Sequence, residues 1–348
     1  MSDIRPVRRA AIRLSGITLA GAAALTGVAG AAEAAPNPNS AGHHACTWAA
    51  QVLPTAPAGE YAFNGVTGTD GNRTFAGYSN GHAVLWRDGR LIDLGGGGAE
   101  DVNRGGDAVG AQADSDYSPR ATLFRAGTAI RLAEPAHTAE SRATGINDAG
   151  LIVGSGVITH GTEGTFHALV WSARSPGSVT DLGTLDSDEA NSTRLVGVNE
   201  RGTLIGNAFN PNTGTATAVI GTVRGGLRAL PGSTANATAT AVAITGRYIV
   251  GTQYVDGSIQ PVRWTNGRAQ VLPGDGDVNA VNSLGTAVGR RSDLTAGLVW
   301  TGITEPSELP MPAGLTQPGA TSISNRGIIA GFGFDRTSAE QPVLWSCH

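Results

Sequence analysis

The sequence of 348 residues contains no lysine, and all of its 24 basic residues are arginine. The absence of lysine excludes a Schiff base on a lysine side chain and a lysine-dependent P-loop within this chain. Charged residues make up only 15% and aromatic residues only 5%, whereas 51 residues are glycine. Short apolar runs separated by glycine-rich turns, with no helical period, indicate an all-β protein.

The formal net charge is −4. A nucleic-acid groove needs a basic stripe, so a mildly acidic chain is not expected to bind nucleic acid. Beyond the N-terminal segment, no apolar run approaches the roughly 20 residues that a membrane-spanning helix needs. We therefore expect a mature chain without nucleic-acid or membrane contacts, and we expect it to be a monomer.

Motifs for known catalytic and cofactor chemistry are missing as well. The sequence has no G-x-S-x-G elbow, no H-E-x-x-H helix, no P-loop and no dinucleotide fingerprint. Soft or borderline metal ligands occur near the two ends of the chain, at His43, His44, Cys46, Cys347 and His348. In an exported protein, a disulfide between Cys46 and Cys347 is favoured over a metal site. The sequence therefore predicts no catalytic residue, no metal and no cofactor.

The first 34 residues have the pattern of a signal peptide. An arginine-rich start is followed by an apolar stretch from Leu14 to Gly30, and Ala32-Glu33-Ala34 fits a small-x-small cleavage motif. We expect cleavage after Ala34 and a secreted, extracellular protein. Arg8-Arg9 leaves twin-arginine export open beside the general secretory route. Residues 35–43 are rich in Pro, Asn and Ser, which predicts a linker ahead of a domain over 44–348.

One unit repeats along this domain. Its fullest copy pairs two short apolar runs around the turn Asn147-Asp148-Ala149-Gly150, where Asn, Asp and Gly favour a hairpin. A β-favouring run, His167–Trp171, and a shorter run ending at Leu182 follow. The unit is thus predicted to have four short strands.

Seven copies of this unit are present. The last glycines of their hairpins are 77, 110, 154, 206, 251, 289 and 331, a mean spacing of about 42 residues. Four-stranded units of about 40–45 residues are typical of propeller blades. We therefore predict a seven-bladed β-propeller of antiparallel blades. The aromatic that usually ends the third strand is predicted to pack between blades, and Gly221 replaces it in one copy, which predicts the loosest interface there.

The two ends of the domain predict how the ring closes. The last copy stops after its third strand at Trp345, whereas a spare closing run stands at Gln51–Leu53. The last blade is therefore expected to borrow its fourth strand from the N-terminal residues, with a Cys46–Cys347 disulfide as a latch. His44–Trp48 and Gln341–Trp345 both resemble a third strand, and the sequence leaves open which of them occupies the closing blade.

The combination of Gly145–Gly154, His167–Trp171 and Asp181–Leu185 resembles the HAF repeat of bacterial extracellular proteins, and His82–Trp86 repeats its central part. The resemblance extends over nearly the whole mature chain, with Val84 or Leu169 where the name of the repeat implies Phe. It implies a secreted, propeller-like protein and no particular activity.

Positions that differ between copies are the candidates for function. Uniform turns serve the blade, whereas loops between second and third strands vary and share one face of the predicted disc with the links between blades. We predict a ligand site on this face, with these residues as its members: Tyr117, His160, Asp188, Tyr254, Asp277 and Arg290. Aromatic and hydroxyl-rich loops suit sugars. The favoured function is non-enzymatic binding of an extracellular carbohydrate or protein; the alternative is an extracellular hydrolase or lyase that uses loop carboxylates on this face.

Overall fold

The structure is a computed structural model that describes residues 47–57, 63–161, 163–185, 191–231, 238–255 and 258–348. Within these residues the chain has 28 strands and no helix. The strands form seven four-stranded antiparallel sheets, which we number as blades 1 to 7. A seven-bladed β-propeller, as predicted, is confirmed.

Each blade is formed by four strands in the order of their hydrogen bonding. Blade 1 contains β2 (Asn64–Thr69), β3 (Thr74–Ser79), β4 (His82–Arg87) and β5 (Arg90–Gly96). Blade 2 contains β6 (Gly98–Val102), β7 (Ala108–Ala113), β8 (Pro119–Arg125) and β9 (Thr128–Arg131). Blade 3 contains β10 (Thr138–Ile146), β11 (Leu151–His160), β12 (Glu163–Ser172) and β13 (Ser175–Gly183). Blade 4 contains β14 (Ser192–Val198), β15 (Leu204–Asn210), β16 (Thr215–Thr222) and β17 (Gly226–Ala229). Blade 5 contains β18 (Ala239–Thr245), β19 (Tyr248–Val255), β20 (Ser258–Thr265) and β21 (Arg268–Val271). Blade 6 contains β22 (Gly276–Val281), β23 (Ala287–Arg291), β24 (Gly297–Trp300) and β25 (Ser307–Leu309). Blade 7 contains β26 (Thr316–Ile323), β27 (Ile329–Phe334), β28 (Glu340–Cys347) and β1 (Trp48–Val52).

The first strand of every blade contacts the first strands of both neighbouring blades, and β26 contacts β2. The blades therefore form a closed ring, with the first strands nearest to its axis.

Strand exchange between the chain ends closes blade 7. The N-terminal β1 pairs antiparallel with β28, with Ala50 opposite Trp345 and Val52 opposite Val343. The borrowed closing strand is thus confirmed. Of the two segments that resemble a third strand, Gln341–Trp345 is the one that forms the third strand of blade 7. Trp48, from the other segment, begins the outer strand β1. Cys347 is not a free thiol, but Cys46 lies outside the described residues, so its pairing with Cys347 stays a prediction.

A bulge interrupts every first strand and explains the periodic glycine. The extra residues at the seven bulges are Thr67, Glu100, Thr144, Val196, Val242, Asn279 and Thr321. The last glycine of each hairpin lies opposite the residue that precedes the bulge. A Cβ at any of these seven glycines would lie 1.8 to 2.2 Å from a carbonyl oxygen of the first strand. The glycine is therefore required by close approach of two backbones beside the bulge.

Several bulge residues link one blade to the next. Thr67 Oγ1 donates to the carbonyl oxygen of Ala99 (2.8 Å), and Thr144 Oγ1 donates to that of Leu195 (2.9 Å). Asn279 Nδ2 donates to Ala320 O (2.9 Å), and Thr321 Oγ1 closes the ring by donating to Val66 O (2.6 Å). The acceptor is always the residue before the next bulge, so these bonds follow the repeat.

The hydrophobic core is divided into clusters that each join two neighbouring blades. In the cluster between blades 2 and 3, Trp171 packs with Leu123 and Leu132. The indole N–H of Trp171 donates to the carbonyl oxygen of Ala133 (2.6 Å), in the link that leaves the preceding blade. Equivalent bonds run from Trp86 to Pro54, from Trp300 to Pro273 and from Trp345 to Pro310. The predicted packing role of this aromatic is confirmed.

The cluster between blades 3 and 4 has no aromatic side chain. Gly221 stands where the tryptophan would be, and a Cβ there would lie 2.1 Å from the carbonyl oxygen of Gly226. Val223 and Leu227, which are only partly buried, pack against this cluster instead. We still expect this joint to be the loosest of the ring.

The His and Asp of the repeat form a hydrogen-bonded unit. His82 Nδ1 lies 3.0 Å from Asp93 Oδ1, and His167 Nδ1 lies 2.9 Å from Asp181 Oδ2. Each aspartate also accepts from the backbone N–H two residues later, at Gly95 and Gly183, where the backbone has positive φ. Both histidines therefore hold the third and fourth strands of their blades together.

One predicted loop is largely wrong. His160 was predicted to lie in a loop between the second and third strands, but β11 and β12 extend to His160 and Glu163. Val157, Ile158, Thr159 and Thr165 lie within this extension. β-Branched residues favour strands, and Gly161 with positive φ makes a tight turn at the tip.

Candidate functional site

The ring has two different faces. Loops between second and third strands bond to the links between blades: Asn80 N donates to Phe63 O (2.9 Å), and Gly97 N donates to Gly81 O (2.9 Å). Both sets of loops therefore lie on one face, as predicted, which we call the variable-loop face. The hairpin turns between first and second strands lie on the other face, which we call the turn face.

Four of the seven blades share one contact on the turn face. Asn147 Nδ2 donates to the carbonyl oxygen of Asn199 (3.0 Å) in the next blade, and Asn199 Nδ2 donates to that of Gly246 (2.8 Å). The same asparagines accept from their own turns through Oδ1, at the N–H of Leu151 and of Thr203. The asparagine of these turns is thus explained by its structural role, whereas Asp70 and Ser324 stand at the same position in blades 1 and 7.

The variable-loop face differs most between blades beside the axis. We define the axial layer as the first-strand residue two positions before each bulge, together with the second-strand residue opposite it. Its first-strand members are Gly65, Gly98, Arg142, Arg194, Thr240, Asp277 and Gly319. Its second-strand members are Tyr78, Ala111, Ser155, Asn207, Thr252, Arg290 and Phe332. Equivalent positions thus carry glycine, hydroxyl, aromatic and charged residues.

Aromatic rings occupy the axial layer in blades 7 and 1. A Cβ at Gly65 would lie 2.5 Å from the Tyr78 hydroxyl oxygen, and a Cβ at Gly319 would lie 2.5 Å from Cζ of Phe332. Each ring therefore covers a glycine of its own blade. Phe334 packs edge-on against Phe332, with ring centroids 5.6 Å apart. This side of the axial layer presents aromatic surface.

Arginine side chains occupy the layer in blades 3, 4 and 6. The guanidinium of Arg194 lies 3.5 Å from the ring centre of Phe166, and that of Arg290 lies 5.9 Å from the ring centre of Phe332. Arg142 differs from both, because its Nη1 donates to Glu100 Oε1 (2.8 Å) in an ion pair. Guanidinium groups on aromatic faces keep their N–H edges available for a ligand.

An acidic cluster adjoins this layer. Burial raises the pKa of Tyr78, and the charges of Glu340 and Glu100 raise it further. Burial raises the pKa of Glu340 to about 7 and also raises that of Glu100, against the opposing effect of Arg142. The Glu100 side chain nevertheless keeps 30% of its surface exposed. A deep carboxylate that still reaches water is expected in the central channel of a propeller.

Asp101 is a second perturbed carboxyl on the first strand of blade 2. Burial raises its pKa to about 7, although the N–H groups of Ile146, Val102 and Thr69 favour the ionised form. Ile146 belongs to blade 3 and Thr69 to blade 1, so the carboxylate joins three blades. Its role is to fasten neighbouring first strands, because the groups that donate hydrogen bonds to it are backbone N–H groups of those strands.

Two of the predicted site residues are brought together. Asp277 and Arg290, assigned to loops from the sequence, lie opposite each other in β22 and β23. Their strand positions follow from the bulge register, which sequence periodicity does not reveal. Tyr254, also assigned to a loop, lies in β19 and is 46% exposed.

The other predicted residues are more scattered. Tyr117 stands at the tip of the loop after β7, 89% exposed and with positive φ, and therefore has little contact with other side chains. His160 ends β11, but its side chain lies outside the described part of the structure. Asp188 lies outside the described residues. The predicted set thus contributes only Asp277 and Arg290 to the axial layer.

Sequence reasoning missed Tyr78, Glu100, Arg142, Arg194, Phe332 and Glu340. One signal was present: at aligned repeat positions these residues replace glycine, alanine or threonine in other copies. The prediction used this comparison for loops but not for strands, where alternation suggested structural roles.

Three of the loop carboxylates in the described residues, Asp114, Asp275 and Asp335, stabilise their own loops. Hydrogen bonding to Arg120 lowers the pKa of Asp114, whose Oδ2 accepts from Arg120 Nε (2.6 Å). Hydrogen bonding to Thr337 lowers the pKa of Asp335, and Asp275 accepts from Ser292 Oγ (2.6 Å). A lowered pKa keeps Asp114 and Asp335 ionised as caps of their loops. A catalytic acid needs a raised pKa, and only the acidic cluster offers one on this face within the described residues.

Glu340→Gln is expected to raise stability at alkaline pH. A folded-state pKa of about 7 lies above the unfolded value of roughly 4.3, so the folded state holds this proton more tightly. This contribution is fully present below about pH 4 and is lost as pH rises through about 7. Unfolding by guanidinium chloride measures the free energy of unfolding at pH 5 and at pH 8. Between these two pH values, the natural chain should lose about 1–2 kcal/mol more of this free energy than the variant. Partial exposure of the side chain limits the difference.

Glu163→Gln provides the matched control, because Glu163 is an exposed glutamate at the start of β12. It should leave the pH dependence of the unfolding free energy unchanged. If the unfolding free energies of Glu340→Gln and of the natural chain decrease equally between pH 5 and pH 8, the Glu340 carboxyl does not cause the loss of stability at alkaline pH.

No group of three or more His, Cys, Asp or Glu side chains is placed to hold a metal in the described parts of the chain. Among the same residues, no helix is long and apolar enough to cross a membrane.

Solved structures share the fold, although no protein-family model and no curated protein matches the sequence. A prolyl endopeptidase structure superposes with a TM-score of 0.58 at 10% identity, over 83% of this chain and 50% of that one. The chain therefore spans about half the length of that relative. A catalytically inactive virginiamycin B lyase from Staphylococcus aureus, in complex with quinupristin, gives a TM-score of 0.53 at 11% identity, over 86% of this chain and 99% of that one.

At such low identity the likeness concerns the fold alone. The class that the fold defines is the β-propeller built from sequence repeats. Membership of the HAF-repeat family stays a prediction.

Proposed function

We propose that this protein is an exported propeller that binds an extracellular carbohydrate beside the axis of its variable-loop face, without catalysing a reaction. One observation carries the proposal. Four of the seven blades repeat the same asparagine contact on the turn face, whereas the axial layer holds Tyr78, Asp277, Arg290 and Phe332, each of which occurs at its position in a single blade. The blade does not need these residues, because glycine, alanine or threonine stands at the same positions elsewhere in the ring.

The chemistry of the layer suits sugars. The faces of Tyr78 and Phe332 can cover C–H groups, while hydroxyl, guanidinium and carboxylate groups can exchange hydrogen bonds with sugar hydroxyls. Thr240 Oγ1 and Thr252 Oγ1 lie 2.8 Å apart in blade 5 and add two hydroxyls to the layer. A protein ligand, the other partner considered from the sequence, would instead contact exposed apolar side chains of this face such as Phe63, Phe209 and Ile259.

Export is supported by the N-terminal pattern and by the resemblance to extracellular repeat proteins. An extracellular location would also allow the proposed Cys46–Cys347 disulfide to form and persist. Detection of the mature chain in culture medium, starting at Ala35, tests this part of the proposal. Retention of the full-length chain in the cytoplasm would contradict it.

A hydrolase or lyase is the second candidate, favoured by the raised pKa of both Glu100 and Glu340 around Tyr78. Paired carboxylates of this kind serve acid–base catalysis. Glu100 is, however, neutralised by Arg142, which suits a fixed binding group better than a mobile acid. Release of new reducing or unsaturated sugar ends, abolished by Glu340→Gln, would establish catalysis in place of simple binding.

Phe332→Ala is expected to weaken binding of the carbohydrate about tenfold or more, because a central aromatic group is lost. Affinity electrophoresis against a panel of extracellular polysaccharides measures the change. Leu284→Ala is the matched control, since Leu284 is 74% exposed on the turn face. Equal weakening by both variants, or weakening by the control alone, would place the ligand elsewhere. Thermal unfolding of each variant separates lost binding from lost folding.

A further inference from the structure

Arg194 and Arg290 are not required by the blade. At the position of Arg194, the other blades carry Gly, Gly, Arg, Thr, Asp and Gly. At the position of Arg290, they carry Tyr, Ala, Ser, Asn, Thr and Phe. The ring thus builds the same strands with small neutral residues, so the two guanidinium groups call for another explanation.

Neither guanidinium is neutralised among the residues that the structure describes. Arg142, by contrast, forms an ion pair with Glu100. The layer therefore contains one arginine with an ion pair and two without one among the described residues. Asp277 lies opposite Arg290 without an ion pair, and Glu140 acts on Arg194 only through its charge. Two cations without an ion pair to any described residue, both beside the axis, would attract a negatively charged ligand.

An aromatic ring stacks on Arg194, and a second ring lies near Arg290, whose guanidinium is 5.9 Å from the ring centre of Phe332. Arg194, in blade 4, stacks at 3.5 Å on Phe166 of blade 3. The N–H of Phe166 donates to Ser192 Oγ (3.2 Å), which ties its strand to the one that carries Arg194. A guanidinium held by its face presents its N–H edge, the geometry that binds a carboxylate or sulfate group through two hydrogen bonds.

Blades 4, 5 and 6 are consecutive in the ring and carry the two arginines and a pair of hydroxyl groups between them. Arg194 lies in the first strand of blade 4, the Thr240–Thr252 hydroxyl pair joins the first two strands of blade 5, and Arg290 lies in the second strand of blade 6. An anionic group would be recognised at each end, and sugar hydroxyls would be recognised between them.

Resting on the proposed function, we infer that the ligand is an anionic carbohydrate whose carboxylate or sulfate groups are bound by Arg194 and Arg290. The shared chemistry is an oxyanion on a hydroxyl-rich polymer. Carboxylate and sulfate sources are distinguished by experiment.

The test compares polygalacturonate, dextran sulfate and neutral dextran at one fixed ionic strength, with affinity electrophoresis of the natural chain and its variants. Arg194→Gln and Arg290→Gln should each weaken binding of an anionic polymer roughly 10- to 100-fold, because a charge-assisted pair of hydrogen bonds is lost. Arg194→Lys should restore only part of the affinity, since lysine keeps the charge but loses the stacked fork. Arg201→Gln is the matched control: it removes the same charge from an exposed turn on the opposite face and should change nothing.

The possible outcomes separate the inference from the proposed function. Preference for polygalacturonate or for dextran sulfate, with the same arginine dependence, supports the inference and identifies the anion. If neutral dextran binds through Phe332 but is indifferent to both arginines, the inference is wrong and the proposed function stands. Equal weakening by Arg201→Gln would reduce the effect to general charge attraction and overturn the inference. Absence of binding to every polymer counts against both.

Discussion

Gly154→Ala is expected to cost at least about 3 kcal/mol of unfolding free energy, although it adds a single methyl group. The new Cβ would lie 2.0 Å from the carbonyl oxygen of Arg142, so one backbone must move away. This movement would break backbone hydrogen bonds between β10 and β11 beside the bulge. It would also disturb the hydrogen bond from Thr144 to Leu195 in the next blade. Denaturant titration of the purified variant measures the loss, and the same result is expected at the six equivalent glycines.

Gly177→Ala is the control for this prediction. Gly177 lies in the outer strand β13, and nothing lies within 4 Å of a Cβ built there. Exposed changes of this kind usually alter stability by about 0.5 kcal/mol or less. If the two variants prove equally stable, the close approach beside the bulge does not explain the periodic glycine.

A chain that begins at Leu53, and so lacks β1, is expected to lose more than about 4 kcal/mol relative to a chain that begins at Cys46. Native domains hold only roughly 5–15 kcal/mol in total, so most of the shortened protein would fail to fold cooperatively. Without β1, the edge of β28 is unpaired from Val343 to Cys347. Exposed strand edges also promote aggregation, which size-exclusion chromatography would detect beside the unfolding curves.

Two controls separate the strand from the proposed disulfide. Cys46→Ser in the longer chain retains β1 and should cost less than the truncation. Mass analysis of the longer chain without reductant should find no free thiol. A shortened chain with an unchanged unfolding midpoint would contradict the role of β1.

The repeat made the fold predictable from the sequence. The seven glycines mark every blade because each meets the same steric demand, and the missing strand after Trp345 pointed to the exchange with the N-terminal residues. The bulges were not predictable, since an extra residue in one strand leaves no trace in apolar alternation. This explains why Asp277 and Arg290 were assigned to loops.

The candidate site was less accessible to sequence reasoning. Glu100 comes from the first strand of blade 2 and Glu340 from the third strand of blade 7, so only closure of the ring brings both to Tyr78. Their raised pKa values arise from burial, which a pattern of residues cannot show. Gly65 and Gly319 were not recognised as the space that Tyr78 and Phe332 fill, because glycine in a strand usually signals a turn or a bulge.

The exchange of β1 into blade 7 also has an evolutionary consequence. A repeat of about 42 residues, duplicated or deleted as a whole within the gene, leaves the first and last strands unchanged and still able to meet. The number of blades can therefore change by unequal recombination, because the same strand exchange still closes the ring. Selection would act on the altered mouth of the ring, where each additional or lost copy changes the residues around the axis.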